Sequence, residues 1–118
     1  MKQILIFMSF ITMLFGTVQD AAVKVLTVEE YKTQIEAGKV QLVDVRTPDE
    51  FNAGHITNAK NIDFFAPSFE RQFEKLNKEK PVYIYCRSGA RSKKAASKLS
   101  AMGFTEIYDL KGGYLNWK

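Results

Sequence analysis

In this 118-residue chain, Val82-Tyr83-Ile84-Tyr85 runs without a break into Cys86-Arg87-Ser88-Gly89-Ala90-Arg91-Ser92. Four successive β-branched or aromatic residues, opened by Pro81, predict a strand. The polar, glycine-containing heptapeptide after it predicts a tight loop. A helix then extends through Met102, with apolar Ala95, Ala96, Leu99 and Met102 on one side, Lys93, Lys94 and Lys98 elsewhere, and Gly103 closing it. Strand, loop and helix in this order require a parallel partner strand and cover on both faces of the sheet.

The remaining chain repeats the alternation. Val23-Lys24-Val25-Leu26 predicts a short strand. Thr27 with Glu30 forms a capping box opening a helix through Ala37, with Gly38 expected to end it in the left-handed conformation. Val40 to Val45 predicts a buried strand. Thr47-Pro48-Asp49-Glu50 is a second capping box with proline at the first helical position, and that short helix stops near Gly54. Ala59 to Ile62 is a further brief strand. Apolar residues at 65, 69, 73 and 76 predict a helix over 64–78. Glu106 to Leu110 is the last strand, and Gly112-Gly113 turns the chain into a terminal helix ending at Trp117. The fold class is α/β, a small, mostly parallel sheet with helices on both faces.

The N-terminus differs from the rest. One lysine, Lys2, precedes an apolar run from Ile4 to Gly16, followed by a polar stretch with small residues. This is the order of a secretory signal peptide, expected over residues 1–21 without a defined cleavage point, with one domain over 22–118. The run is shorter than the roughly 20 apolar residues that a spanning helix needs; an uncleaved anchor or a buried first helix are the other readings. Cleavage would leave a mature protein in an export compartment, expected to be a bacterial periplasm, with no membrane contact. A net charge of +4 is too small to point to nucleic acid. One Cys and one His exclude an intrachain disulfide and speak against a zinc site, and no metal or cofactor is expected.

Cys86 carries the chemistry. Ligands in open α/β sheets bind beyond the carboxyl ends of the strands, and Cys86 stands at such an end. Backbone N–H groups at the following helix N-terminus form an anion-binding concavity, and Arg87 and Arg91 add positive charge. Both effects favour a thiolate. The loop Arg87, Ser88, Gly89, Ala90, Arg91 and Ser92 is expected to cradle an anionic group beside a reactive sulfur. The competing reading, an inert core cysteine, fits poorly with the loop that follows.

Four stretches together resemble the single-domain rhodanese (sulfurtransferase) family: Leu42-Val43-Asp44-Val45-Arg46 with Glu50-Phe51; Gly54-His55-Ile56 with Ala59 and Asn61-Ile62; the run from Tyr83 to Ser92; and Leu110-Lys111-Gly112-Gly113-Tyr114 with Trp117. The resemblance spans about Val25 to Lys118. It implies the rhodanese-like fold and a catalytic Cys86. That cysteine would take a sulfane sulfur from a small anionic donor such as thiosulfate, forming a persulfide. Cyanide or a thiol, including a protein thiol, would accept it. It also implies that His55 makes a structural hydrogen bond rather than acting as a base. Asp44 and Arg46 are expected to form an ion pair rather than contact substrate, Glu50 to serve its helix cap, Lys93, Lys94 and Lys98 to form a solvated face, and Trp117 to pack on the core.

Two alternatives share the fold. Related dual-specificity phosphatases place an arginine six positions after the cysteine to grip phosphate. Here that position is Ser92, and Arg91 lies at the fifth. The shorter loop suits a single sulfur atom better than a phosphatase or arsenate reductase substrate. A sulfur-relay or binding module without small-molecule turnover is the other alternative.

Overall fold

A computed structural model describes residues 22–117. The expected signal peptide, residues 1–21, lies outside the described residues.

Five short strands form the centre: β1 (Val23–Leu26), β2 (Gln41–Asp44), β3 (Lys60–Asn61), β4 (Val82–Tyr85) and β5 (Ile107–Leu110). All pair in parallel, in the order β1-β5-β4-β2-β3. β4 is central, and all four of its residues are buried. Alternation along β4 sends Val82 and Ile84 to one face and Tyr83 and Tyr85 to the other.

Four helices connect the strands, α1 (Val28–Glu36), α2 (Pro48–Ala53), α3 (Phe69–Phe73) and α4 (Ala90–Met102), and α5 (Gly113–Trp117) follows β5. On one face α3 and α4 bury Phe69, Phe73, Ala95, Ala96 and Leu99 against Val43, Val82, Ile84 and Ile107. On the other, Tyr31 of α1 and the half-buried Tyr114 and Trp117 of α5 pack on Leu42, Tyr83, Tyr85 and Leu110. Trp117 meets the Tyr31 ring edge-on at 6.2 Å. Each large apolar side chain fully buried this way contributes about 1.5–3 kcal/mol.

Both predicted capping boxes form. Thr27 Oγ1 accepts from the Glu30 N–H at 3.2 Å while Glu30 Oε1 accepts from the Thr27 N–H at 3.0 Å. Thr47 and Glu50 repeat the pattern at 3.3 and 3.1 Å. These reciprocal bonds satisfy N–H groups that the helix itself cannot.

Two expectations are corrected. The helix predicted over 64–78 is present only at Phe69–Phe73. Asp63 accepts from the Phe65 N–H through its side chain and from the Ala66 N–H through its carbonyl, which folds the entry into turns. Pro67 disfavours helix at the residue before it, and Phe65, counted on the apolar face, is 65% exposed. The first helix does not end in a left-handed glycine. Its cap is Ala37, whose N–H donates to the Gln34 carbonyl, and Gly38 is not among the glycines with positive φ.

Candidate active site

β4 ends at Tyr85, and the next residue turns out of the sheet into the loop. Cys86 is only 1% exposed, so its sulfur lies at the floor of the loop rather than on the surface. The Gly89 N–H donates to Cys86 Sγ at 3.0 Å. That bond requires Gly89 to turn its amide inward at φ +116°, a conformation that side chains rarely adopt. The Cys86 thiol donates to Ser92 Oγ at 3.4 Å, and Ser92 donates in turn to the Gly89 carbonyl at 3.2 Å. Gly89 is also the N-cap of the 13-residue α4, which has no side-chain cap. The positive end of that helix therefore faces the sulfur's loop.

The loop is held from behind by α5. Tyr114 and Leu115 donate their N–H groups to the carbonyls of Cys86 and Arg87 at 2.8 and 3.1 Å. Such a close approach admits no side chain at Gly113. A Cβ there would lie 2.4 Å from the Arg87 carbonyl oxygen, and φ is +66°. Gly113→Ala is therefore expected to destabilise the protein by about 2–4 kcal/mol, combining backbone strain with overpacking. A thermal melt should fall by more than about 10 °C; a shift of a degree or two would show that α5 is not fixed against the loop.

Of the loop side chains, Ser92 is buried, Gly89 and Arg91 are half-buried, and Arg87, Ser88 and Ala90 are exposed. Arg91 is not a free positive charge beside the sulfur, as the sequence suggested. Its guanidinium holds both oxygens of Glu50, at 2.7 and 2.9 Å. The Arg91 hydrogen bond, outweighing burial, lowers the Glu50 carboxyl from 4.5 to about 2. Glu50 thus caps α2 and tethers the loop to it. Arg46 makes the expected ion pair. Its Nη2 lies 2.6 Å from Asp44 Oδ2 and donates to the Gly54 carbonyl at 2.7 Å, and its guanidinium covers the Tyr114 ring at 4.4 Å. Asn61 closes this corner by donating to the carbonyls of Asp44 and Arg46.

His55 Nδ1 donates to the Phe51 carbonyl at 2.8 Å, and the ring stacks on Phe51 at 3.7 Å. It is engaged in local packing. Lys93, Lys94 and Lys98 are exposed, with Lys98 Nζ 5.2 and 5.5 Å from the Phe64 and Phe69 rings. A groove of about 820 Å³ lies between Ile35, Val40, Leu42, Ile56 and Trp117 and includes no residue of the 86–92 loop. Among the described residues no group of three His, Cys, Asp or Glu could hold a metal ion, and no helix is long and apolar enough to cross a membrane.

The rhodanese-like domain family matches residues 27–118. The chain belongs to the rhodanese-like family. Among its relatives, YqhL of Bacillus subtilis is 40% identical over 97% of this chain and 89% of its own length. The thiosulfate sulfurtransferase GlpE of Coxiella burnetii is 38% identical over 67% of this chain and 72% of its own. A rhodanese-like domain protein of Staphylococcus aureus superposes with a TM-score of 0.72 at 35% identity, covering 80% of this chain and 91% of that structure. Sulfur transfer is thus represented in the family, and the parallel α/β fold is the rhodanese-like one.

Within this rhodanese-like domain, two participants in the site escaped sequence reasoning. Glu50 was assigned a cap and not a partner for Arg91, 41 residues away. Gly113 was read as a turn glycine and not as a contact with the loop. The Glu50–Arg91 pair makes the domain acid-sensitive. A depressed carboxylate contributes stability that is complete above its unfolded value near 4.5 and lost as pH falls toward about 2. With side chains 27% and 21% exposed, the pair is worth about 1 kcal/mol after solvent screening. Asp109, raised from 3.8 to about 6, acts in the opposite sense above pH 3.8. The check is therefore the difference in melting temperature between wild type and Glu50→Gln, which should shrink between about pH 4.5 and 2. A constant difference would remove the linkage.

Proposed function

We propose that this rhodanese-like protein is a sulfurtransferase that carries a sulfane sulfur on Cys86, with thiosulfate as donor and cyanide or a thiol as acceptor. The thiolate attacks the outer sulfur of thiosulfate. A new S–S bond forms, the old S–S bond breaks, and sulfite leaves with the electron pair. Cyanide or a thiolate then attacks the terminal sulfur, and Cys86 regains its thiolate in a ping-pong cycle. The observation that carries this reading is the Gly89 N–H on the sulfur at the uncapped N-terminus of α4. Preorganised donors of this kind stabilise charge on the sulfur and on a departing anion beside it. The loop Arg87, Ser88, Gly89, Ala90, Arg91 and Ser92 would cradle the anion through its backbone N–H groups, with the Arg91 charge held by Glu50.

The phosphatase or arsenate reductase reading draws no support from the site, because the sixth position after Cys86 is the buried Ser92 and the neighbouring Arg91 holds Glu50. Export to a bacterial periplasm remains part of the proposal, resting on the lysine-plus-apolar pattern before residue 22. The test is the intact mass of the protein recovered from the export compartment, before and after thiosulfate. A gain of one sulfur atom, lost again on adding cyanide with release of thiocyanate, is expected. A folded chain that gains nothing overturns the sulfurtransferase reading. Persulfide formation without release to cyanide or small thiols would instead mark a relay to a protein thiol. The starting mass reports whether residues 1–21 have been removed.

A further inference from the structure

Three large apolar side chains are exposed among the described residues: Val25, Phe65 and Leu115, at 61%, 65% and 51%. Such residues scattered singly are ordinary. Two of these three, however, border the Cys86 loop, one at each end of it. The Arg91 guanidinium lies over the Phe65 ring, 5.9 Å from its centroid, and Phe64 meets that ring edge-on at 5.5 Å. Leu115 is fixed at the other end by its N–H on the Arg87 carbonyl at 3.1 Å. They reach the loop from different layers. Phe64 packs with the core beneath α3 and α4, whereas Tyr114 and Trp117, the neighbours of Leu115 in α5, pack on the opposite face of the sheet.

The charge around this rim is mostly positive. Arg87 in the loop, Lys93, Lys94 and Lys98 along α4 and Lys111 just before α5 are exposed, and none makes a salt bridge among the described residues. Against them stand Asp49 and Asp63. Glu50 is paired with Arg91, and the exposed Glu70 and Arg71 of α3 offset one another. Depth adds a third constraint. Cys86 is 1% exposed, so an acceptor must enter the loop to reach a sulfur carried there. Cyanide or a small thiol can enter without touching the rim. A protein can enter only by projecting its thiol, and its surface beside the thiol then meets Phe65 and Leu115.

We propose that Phe65 and Leu115 form the docking rim for a protein acceptor, which presents a cysteine on a projecting segment with apolar side chains beside the thiol and carboxylates around them. The proposal rests on the reading of Cys86 as the sulfur carrier and names the class of its acceptor. The acceptor thiol gives its proton to solvent, and the thiolate attacks the terminal sulfur of the Cys86 persulfide. An S–S bond forms to the acceptor, the bond to Cys86 Sγ breaks, and Cys86 leaves as a thiolate with the electron pair. One persulfide is consumed and one is made. The rim cations steer an acidic partner and set its orientation, while the apolar pair supplies the desolvated contact at the centre.

The probes are two labelled peptides, one with a single cysteine flanked by leucines and glutamates, the other with lysines replacing the glutamates. Wild type, Phe65→Gln and the double variant Phe65→Gln with Leu115→Gln are loaded with thiosulfate and discharged to each peptide and to cyanide. Wild type is expected to serve the acidic peptide at least about tenfold better in kcat/KM than the basic one, and to lose that preference in about 0.5 M salt. The double variant should lose at least about tenfold toward the acidic peptide, the single variant less, and neither anything toward cyanide. Equal rates for the two peptides, a double variant that discharges to the acidic peptide like wild type, or a matching loss toward cyanide would each overturn the docking rim. Fluorescence anisotropy of the acidic peptide with serine in place of cysteine measures docking without sulfur chemistry. Binding that the double variant loses, in a chain that forms no persulfide, would support the surface and sink only its place in sulfur transfer. A persulfide-forming chain whose variants bind and discharge like wild type would sink the surface alone.

Discussion

Serine in place of Cys86 is expected to lower thiosulfate-to-cyanide transfer by at least about 10³-fold, to the uncatalysed background, while the protein stays folded. The substitution changes one atom at a site that is 1% exposed, so packing loses little, about 1 kcal/mol at most. The hydroxyl can still accept from the Gly89 N–H, whose donor geometry is set by the backbone of residue 89. What disappears is the nucleophile. A hydroxyl ionises far less readily than a thiol, and the same helix N-terminus and loop amides cannot close that gap. Thiocyanate release together with a thermal melt measures both halves of the statement. Turnover persisting in the serine variant would mean that another group carries the sulfur. Lost turnover with a collapsed melt would show that Cys86 is chiefly a packing residue.

Methionine in place of Arg46 is expected to cost about 3–5 kcal/mol, a large share of the stability of a domain this size. Asp44 is 0% exposed, and Arg46 supplies its ion pair through both Nε and Nη2. Removing the cation leaves a buried carboxylate with only the N–H of residue 46 and its surroundings to stabilise it. The damage spreads beyond the pair, because the guanidinium also holds the Gly54 carbonyl and lies on the Tyr114 ring. Tyr114 is the residue whose N–H fixes the Cys86 carbonyl. The double variant Asp44→Asn with Arg46→Met should recover part of the loss, since no unpaired charge remains. Urea unfolding of the three proteins makes the comparison. A single variant within about 1 kcal/mol of wild type would show that water or another donor reaches Asp44.

The parts of the fold that could be read in advance are those encoded by neighbours in sequence. The capping boxes at Thr27 and Thr47 are bonds between residues three apart, and the strand at 82–85 is a run of side chains suited to a buried pleat. The heptapeptide from Cys86 to Ser92 is contiguous, so its loop was legible too. The helix at 64–78 misled because aromatic residues at 65, 69 and 73 satisfy helical spacing whether or not the backbone does. The local chemistry of Asp63 and Pro67 decides against the first of them. The Glu50–Arg91 bond joins residues 41 apart, and the close approach of Gly113 to the Arg87 carbonyl joins residues 26 apart. Both depend on which strands lie side by side, and periodicity carries no information about strand order.

That strand order also governs when the site comes into being. β5 lies inside the sheet, with Ile107 in register with Val23 on one side and Val82 on the other. The first strand therefore has no partner until nearly the whole chain is available, a long-range closure of the kind that slows folding. The carbonyls of Cys86 and Arg87 likewise gain their N–H donors only when α5 docks after β5. Alkylation of Cys86 during refolding should accordingly reach its native rate in the last kinetic phase, so the reactive sulfur serves as a reporter of completed assembly.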